Sequence, residues 1–503
     1  MTWKRWLKRT LGAVVLVLAL RTVWLVGERE WHRSQGEKEY AAAVAETDRT
    51  DPDWRWDALN AKRIKPPAGK NAADLIPRIN ALTPKDWGNR LDLTDEGMSR
   101  EHPPANTRFD PDLIGSAREE LARAHPAVEL ARTLKVFPAG YRVIRLAPNP
   151  YGTLLEDTQA TRGVSNLLRW DIVIAVEDGD TVRAATDLLA MLYASRSIGD
   201  EPFLISQLVR IATRSIAHGS LEWVLAQAAL TEPQLAGLQS AWAVDAEEPL
   251  LLYGLRGKRV VIDETIGRMA IGTVSFMQGT TGAGRPSPED SNSFDRFAWW
   301  LYRGRLPRER AFALRWLNDA IEVARRPVHE QPAAMATLPF FKQYADRDLL
   351  RPHLEDFAPP EPDENLIIFR LLIPGLAKIP RASWRSTAEA RSTVVALACE
   401  RFRLKHGRWP KELAELPAEL LPGGVPLDPF DGKLLCYRRL DDGVVIYSIG
   451  PDGTDNEGTI ARDRPGVPGT DIGFRMWNPE QRRKPAVQPG DGVAIPPPRE
   501  VKP

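Results

Sequence analysis

The sequence predicts a mainly α chain. It comprises an N-terminal transmembrane helix, an irregular helical bundle, and a small α+β module in which a helix packs on antiparallel strands. Three observations carry this. Leu11–Gly27 is almost wholly apolar and follows a basic flank. Apolar residues then recur at three- and four-residue spacing through most of 110–326. Near the C-terminus the pattern switches to alternation, the period of strands.

At 503 residues the chain is too long for one ordinary core. Its 68 Lys and Arg against 67 Asp and Glu leave a net charge of +1, without a basic block, so no nucleic-acid partner is expected. Two cysteines exclude a disulfide scaffold and an all-cysteine metal site. HExxH, CxxC, GxSxG and P-loop patterns do not occur.

Residues 1–10 form a cytosolic basic flank with Lys4, Arg5, Lys8 and Arg9 and no acid. Residues 11–27 are the anchor, at the short end of the spanning range. The charge asymmetry places the N-terminus in the cytosol and the body on the exported side of the membrane, with membrane lipid as partner. A cleaved signal peptide is the alternative, since Leu11–Leu20 alone has that length. Apolar residues resume at Val23–Val26 and no small-x-small site precedes Arg21, which favours an uncleaved signal anchor.

Residues 28–157 read as a juxtamembrane helical and irregular region. Glu28 to Ala45 is a charged helical stalk, Asp51 or Asp53 caps a short helix, and Trp54 and Trp56 lodge against the body. Residues 158–326 are the helical body. Asp180–Arg196 places Val182, Ala185, Leu188, Leu189 and Leu192 on one face. The next helix opens at Asp200-Glu201-Pro202 and buries Phe203, Leu204, Leu208, Ile211, Ala212 and Ile216. Similar starts at Thr231-Glu232-Pro233 and Glu247-Glu248-Pro249 hold no fixed period, so a bundle is expected rather than a repeat array. Gly279–Asn292 has loop composition, 327–363 is a proline-rich connection, and 478–503 is a disordered proline-rich tail.

For chemistry the body offers little. His218 and Glu222 share a helix face at i,i+4 and are the catalytic candidates, with Glu101-His102 weaker. Arg162, Arg169, Arg183, Arg196, Arg210 and Arg214 either line an anionic groove or are ordinary paired arginines.

Residues 364–477 are the C-terminal module. Leu366–Ile379 reads as a buried helix kinked at Pro374, and Pro380 separates it from the next. Ser386–His406 carries Val394, Val395, Ala398, Cys399 and Phe402 on one side, with Glu389, Arg391, Glu400, Arg403 and Lys405 largely off it. Gly407 stops it. Leu434–Arg439 and Val444–Ile449 alternate around Asp441-Asp442-Gly443, a hairpin. Cys399 and Cys436 then lie either bridged or as two thiols used for packing.

The order RFRLKHGRWP, KELAEL, PLDPFDGKLLCYRR, VVIYSIGPDGTDNEG resembles the globular part of the type II secretion major pseudopilins, the protein G-like family. There a helix ending near HGRYP leads to a DPWGNPY-like strand and a YSLGADG-like loop. The layout is also similar to that of bacterial membrane-anchored proteins that carry such a module at the C-terminus. The resemblance implies calcium in the loop, with Ser448 and Asp452 on ligand positions and Asp471-Ile472 as the closing segment. Asp455 and Glu457 add oxygens in reach, as a hard cation requires. The alternative is a plain Gly450–Gly453 turn with solvated acids. Most of the chain separates Leu11–Gly27 from Ser386 and the family's leader motif is missing, so pseudopilin-type polymerisation is not expected.

The functional expectation is a membrane-tethered, envelope-facing structural or protein-interaction protein whose partners are membrane lipid and other envelope proteins. The alternatives are an envelope hydrolase built from dispersed residues and an accessory component of a secretion or pilus-like machine.

Overall fold

The computed structural model describes residues 2–91, 103–274, 293–338, 366–372, 374–462 and 464–486. The helices in order are α1 (Thr2–Thr50), α2 (Trp56–Ala61), α3 (Ile76–Leu82), α4 (Pro111–Arg123), α5 (His125–Arg132), α6 (Glu156–Glu177), α7 (Thr181–Arg196), α8 (Leu204–Gln227), α9 (Glu232–Ala246), α10 (Leu250–Ile271), α11 (Ser293–Tyr302), α12 (Leu306–Ala324), α13 (Gln331–Ala336), α14 (Ile367–Leu372) and α15 (Pro374–His406). Three strands follow: β1 (Cys436–Leu440), β2 (Gly443–Ser448) and β3 (Ile472–Trp477). The mainly α class with a small antiparallel sheet is as the sequence predicts.

α1 is unbroken from the basic flank to the end of the stalk. Its first half turns Leu11, Leu16, Val17, Leu20 and Val23 to the outside, and it is long and apolar enough to cross a membrane. Its second half lies along α12. Gly36 permits this approach, because a Cβ there would stand 2.7 Å from the Arg308 backbone nitrogen. A polar ladder fixes the register. Arg315 grips Glu46 at 2.9 and 3.1 Å, Asn318 donates to Thr47, and Tyr40 donates to Asp263, which Arg310 also holds at 2.6 and 2.8 Å.

The ladder ends on Asp51. Neither Asp51 nor Asp53 caps α2, whose N-cap is Arg55 without a side-chain bond. Asp51 is instead buried and receives Arg256 at 2.8 Å and Arg259 at 2.5 Å from α10. Burial alone would raise its carboxyl; the two guanidiniums outweigh that and hold it below the usual range. Trp54 is buried as expected, and Trp56 meets Phe203 edge-on at 5.6 Å.

In the helical body the elements are where the periodicity puts them, but their faces differ. Asp180 caps α7 through the Arg183 N–H, and Thr231 with Gln234 forms a capping box on α9. On α7, Val182 is 68% exposed, while Ala184, Asp187, Leu188 and Met191 are buried. α8 begins at Leu204, not at Asp200, because Asp200 binds Arg63 and Glu201 binds Arg142. Ala212 is exposed, and the inward face of α8 carries Gln207, Arg210, Thr213, Arg214 and Ala217.

That polar face has a purpose in packing. Arg196 of α7 and Arg210 and Arg214 of α8 converge on Asp245 of α9, a fully buried side chain. Arg196 also donates to Ala241 O, Arg210 to Gly199 O, and Arg214 to Ser386 O of α15. Burial pushes the Asp245 carboxyl up, and the facing Arg214, Arg210 and Arg196 charges more than reverse it. The six arginines spaced along α6 to α8 therefore do not form one open groove: three of them are interior pairs with Asp245, and Arg183 binds Asp171.

α15 is the spine. Leu376, Ile379 and Trp384 at its start join a core with α10, α12 and α14, whereas Val395, Leu397, Cys399 and Phe402 join the core of α3 to α9. This two-sided packing carries the helix through Pro380, where a break is expected from sequence, although proline forfeits one backbone bond. Glu389 and Glu400 are also buried, contrary to their expected place off the apolar face. Glu400 holds Arg403 and Arg482 at 2.8 to 3.0 Å. Gly407 has φ +70° and ends the helix as expected.

The sheet has order β1-β2-β3, antiparallel throughout, with Tyr437 opposite Ile446 and Ile446 opposite Phe474. Val444, Ile446, Phe474 and Met476 share the core with α8 and α15. The first residues of the expected disordered tail are ordered: Arg482 pairs with Glu400, and the Arg483 and Lys484 N–H groups bond Ala226 O and Asn106 O. The expected loop at 279–292, Glu101-His102, residues 339–363 of the connection and 487–503 of the tail lie outside the described residues.

Removing the central carboxylate should strand Arg196 and Arg214 in the interior and leave Arg210 to Glu248 alone. Asp245→Ala is expected to cost about 3–5 kcal/mol in urea unfolding. The folded pKa lies below the unfolded value, so the contribution is complete above pH ~4 and is lost as pH falls through the lower folded pKa. Asp245→Asn should flatten that acid limb; wild-type stability in both variants would refute the assignment.

Candidate functional site

The loop after β2 is held by carboxylates. Ser448 is buried at the strand end, and its hydroxyl donates to Asp428 Oδ1 at 2.8 Å. Asp428 Oδ2 accepts the Ile449 N–H at 2.9 Å, and the Gly450 N–H returns to Ser448 Oγ at 3.2 Å. Gly450 has φ +74°, the left-handed turn that lets the chain double back. Asp471 accepts the Asn456 and Gly458 N–H groups at 3.2 and 2.7 Å. Asp455 Oδ1 accepts the Tyr447 hydroxyl and the Glu457 N–H at 3.0 and 2.8 Å. Asp452 accepts the Thr454 and Gly469 N–H groups at 3.0 and 2.8 Å. Glu457 pairs with Arg438 instead of joining the other acids.

The donor chemistry suits a hard cation, being all oxygen. Burial pushes the Asp428 and Asp471 carboxyls up against the pull of their hydrogen-bond donors, and Asp431 and Asp455 respectively add to the rise. Burial and then Asp455, Asp428, Asp431 and Asp471 push the Cys436 thiol up to about 11. Asp428 and Asp471 thus face other acids, whereas most buried acids of the body face arginine. The arrangement is not a closed side-chain shell: among the described residues no three His, Cys, Asp or Glu side chains gather around a cation position. A cation taking six to eight oxygens would need main-chain carbonyls as well.

His218 and Glu222 lie on the face of α8 that meets β3, and each is used there. The His218 ring nitrogens face Thr393 Oγ1 at 2.7 Å and Gly473 O at 3.3 Å, with the ring edge-on to Phe474. Buried Glu222 takes a bidentate pair from Arg462, both bonds 2.6 Å, and the Arg475 N–H at 2.6 Å. The two side chains fasten the sheet to the body at neighbouring points, with no hydrogen bond between them among the described contacts. Cys399 and Cys436 are both free thiols.

A cleft of about 1120 Å³ opens between α9, the end of α12, α15 and residues 419–427. Leu251, Leu252, Val328 and Leu421 are in its wall, with His329 and Arg391 as polar groups. Arg391 is pinned between Leu427 O at 2.8 Å and Glu247 at 3.1 Å. Sequence reasoning missed this cleft, which is built from four separate segments. It also missed Asp428 and Arg462. Asp428 begins the Asp-Pro step of DPFDG, an Asx-turn signal that would have marked it; Arg462 carries no local signal.

No protein-family model, curated protein or solved structure matches the chain.

Glu222→Ala would leave the Arg475 N–H and the Arg462 guanidinium without their acceptor. It should cost about 1–3 kcal/mol and accelerate amide exchange in β3. Unchanged stability and unchanged β3 protection would show that the contact is dispensable.

Proposed function

We propose that this chain is a membrane-tethered structural or protein-interaction component of a bacterial envelope, its N-terminus cytosolic and its body on the periplasmic side of the inner membrane. The observation that carries the reading is α1. Its apolar half is wholly unburied by the body, while its continuation is clamped along α12. Apolar surface on this scale needs a non-aqueous neighbour, at about 25 cal/mol per Å². The basic residues ahead of Leu11 support the orientation. Membrane lipid and other envelope proteins are the partners; the mostly apolar cleft offers the latter a concave wall. The hydrolase reading loses its leading pair, since His218 and Glu222 serve to hold the sheet. The chain should resist alkaline carbonate extraction and keep its N-terminus by intact mass. Release into the carbonate supernatant, or a mature chain shortened past Gly27, would defeat the anchor.

The pseudopilin resemblance and calcium in the loop belong to the same proposal. What supports calcium is the all-oxygen donor set spread along the loop at Ser448, Asp452, Asp455 and Asp471, which would need main-chain carbonyls to complete a shell, with raised carboxyls at Asp428 and Asp471. A ligand bound only by the folded chain at about 100-fold its Kd adds roughly 2.7 kcal/mol. Millimolar calcium should therefore raise the Tm over that in chelator, and Asp471→Asn should remove the difference. Equal melting with and without calcium would exclude a calcium site in this loop.

A further inference from the structure

The apolar run of α1 ends at Gly27, and the body first touches the helix immediately beyond it. Arg29 Nε donates to Trp300 O at 3.0 Å, and the guanidinium lies 4.2 Å from the centre of the Trp300 ring. Arg305 reaches Glu28 at 3.4 Å. Gly304 lies against Arg29, where a Cβ would stand 2.8 Å from the Arg29 carbonyl oxygen. These contacts set α11 beside residues 28–31 of α1, about 3 Å past the apolar run at 1.5 Å per residue.

α11 is itself two-faced. Trp299 and Tyr302 pack on the second core, while Arg296, Phe297 and Ala298 are exposed. Phe297 is stacked on Trp300 with ring centres 5.9 Å apart. Trp24 and Trp31, on the turns of α1 that flank this level, are 64% and 60% exposed. Charges of both signs gather here: Arg33 pairs with Glu37 at 2.9 Å and Arg29 with Glu30, while burial, then the facing charges of Arg29 and Arg33, hold Arg303 below its usual pKa. Exposed aromatics beside arginines at the exit of an apolar helix match the chemistry of a lipid headgroup zone.

We infer that α11 is a second membrane contact, which seats Phe297 and the edge of Trp300 in the headgroup–acyl boundary with Arg296 among the lipid phosphates. The occupant is lipid because α11 meets α1 at Arg29, two residues past the apolar run, and so lies within the depth, about 5–10 Å, that interfacial helices reach. The inference rests on α1 spanning the bilayer. It adds a function to the fold: a body held at two points cannot tilt together with α1, so the sheet and cleft keep a fixed orientation to the membrane.

The test uses the full chain carrying Cys436→Ser, in nanodiscs of phosphatidylcholine and phosphatidylglycerol, with one environment-sensitive fluorophore at Phe297→Cys, Trp24→Cys or Val182→Cys. Val182 is exposed on α7 and serves as the aqueous reference. The label at 297 should be quenched by headgroup-proximal doxyl lipid to within about twofold of the label at 24, and should be shielded from aqueous iodide. A label at 297 that behaves like the one at 182 would overturn the inference and leave the anchor intact. Shielding from both quenchers would also overturn it, and would mean that protein, such as a second copy, covers α11. Loss of lipid quenching at 24 as well would overturn the anchor and this inference together.

Discussion

Buried arginine must find buried carboxylate, and in this chain that constraint decides which helices touch. Arg196, Arg210 and Arg214 come from two helices and meet Asp245 on a third, with a bond onward to Ser386 of α15. Each ion alone would cost several kcal/mol to desolvate, so none of these helices can shift without exposing an unpaired charge in the interior. Apolar packing supplies most of the driving force, and the charge cluster selects one arrangement from those the apolar faces allow. The cluster sits where the body meets the spine helix, and so the sheet inherits its position.

The same device recurs toward the apolar N-terminal helix. Asp51 ends the stalk and is fixed by Arg256 and Arg259 on α10, while Glu46, Tyr40 and Thr47 are fixed from α12 and α10. At the other side Glu222 and Glu400 tie β3 and the following segment to α8 and α15. The long helix, body and sheet are thereby parts of one framework. On the proposed membrane-tethered reading, this would present the far surface at a set height and angle.

Much of the fold is legible because helix and strand periods are local. The long apolar N-terminal helix, its charged continuation, the helices of the body and the β1–β2 hairpin all follow from residues a few positions apart. The faces of α7 and α8 are not legible in this way, since the rule that apolar residues point inward fails where Gln207, Arg210 and Arg214 are the interior groups. Acids before a helix suggest caps, yet Asp51 and Glu201 answer to arginines far away; Asp51 and Arg256 are 205 positions apart. In the candidate site, Ser448 and the loop acids follow from the motif. Asp428 lies in the same motif and carries an Asx-turn signal, but its bond to Ser448 is not local, because the strand end that brings Ser448 to it lies 20 positions further on. His218 and Glu222 are neighbours by helical spacing alone, but their shared task depends on β3, more than 250 positions away in sequence from either.

Whether the stalk and the body form one framework through the polar ladder is tested most directly by hydrogen–deuterium exchange of the full chain in nanodiscs. The amides of Glu37–Thr50 should exchange as slowly as those of α12, and both should accelerate together when Asp51 is replaced by alanine. Stalk amides that exchange rapidly while α12 stays protected would contradict a single framework.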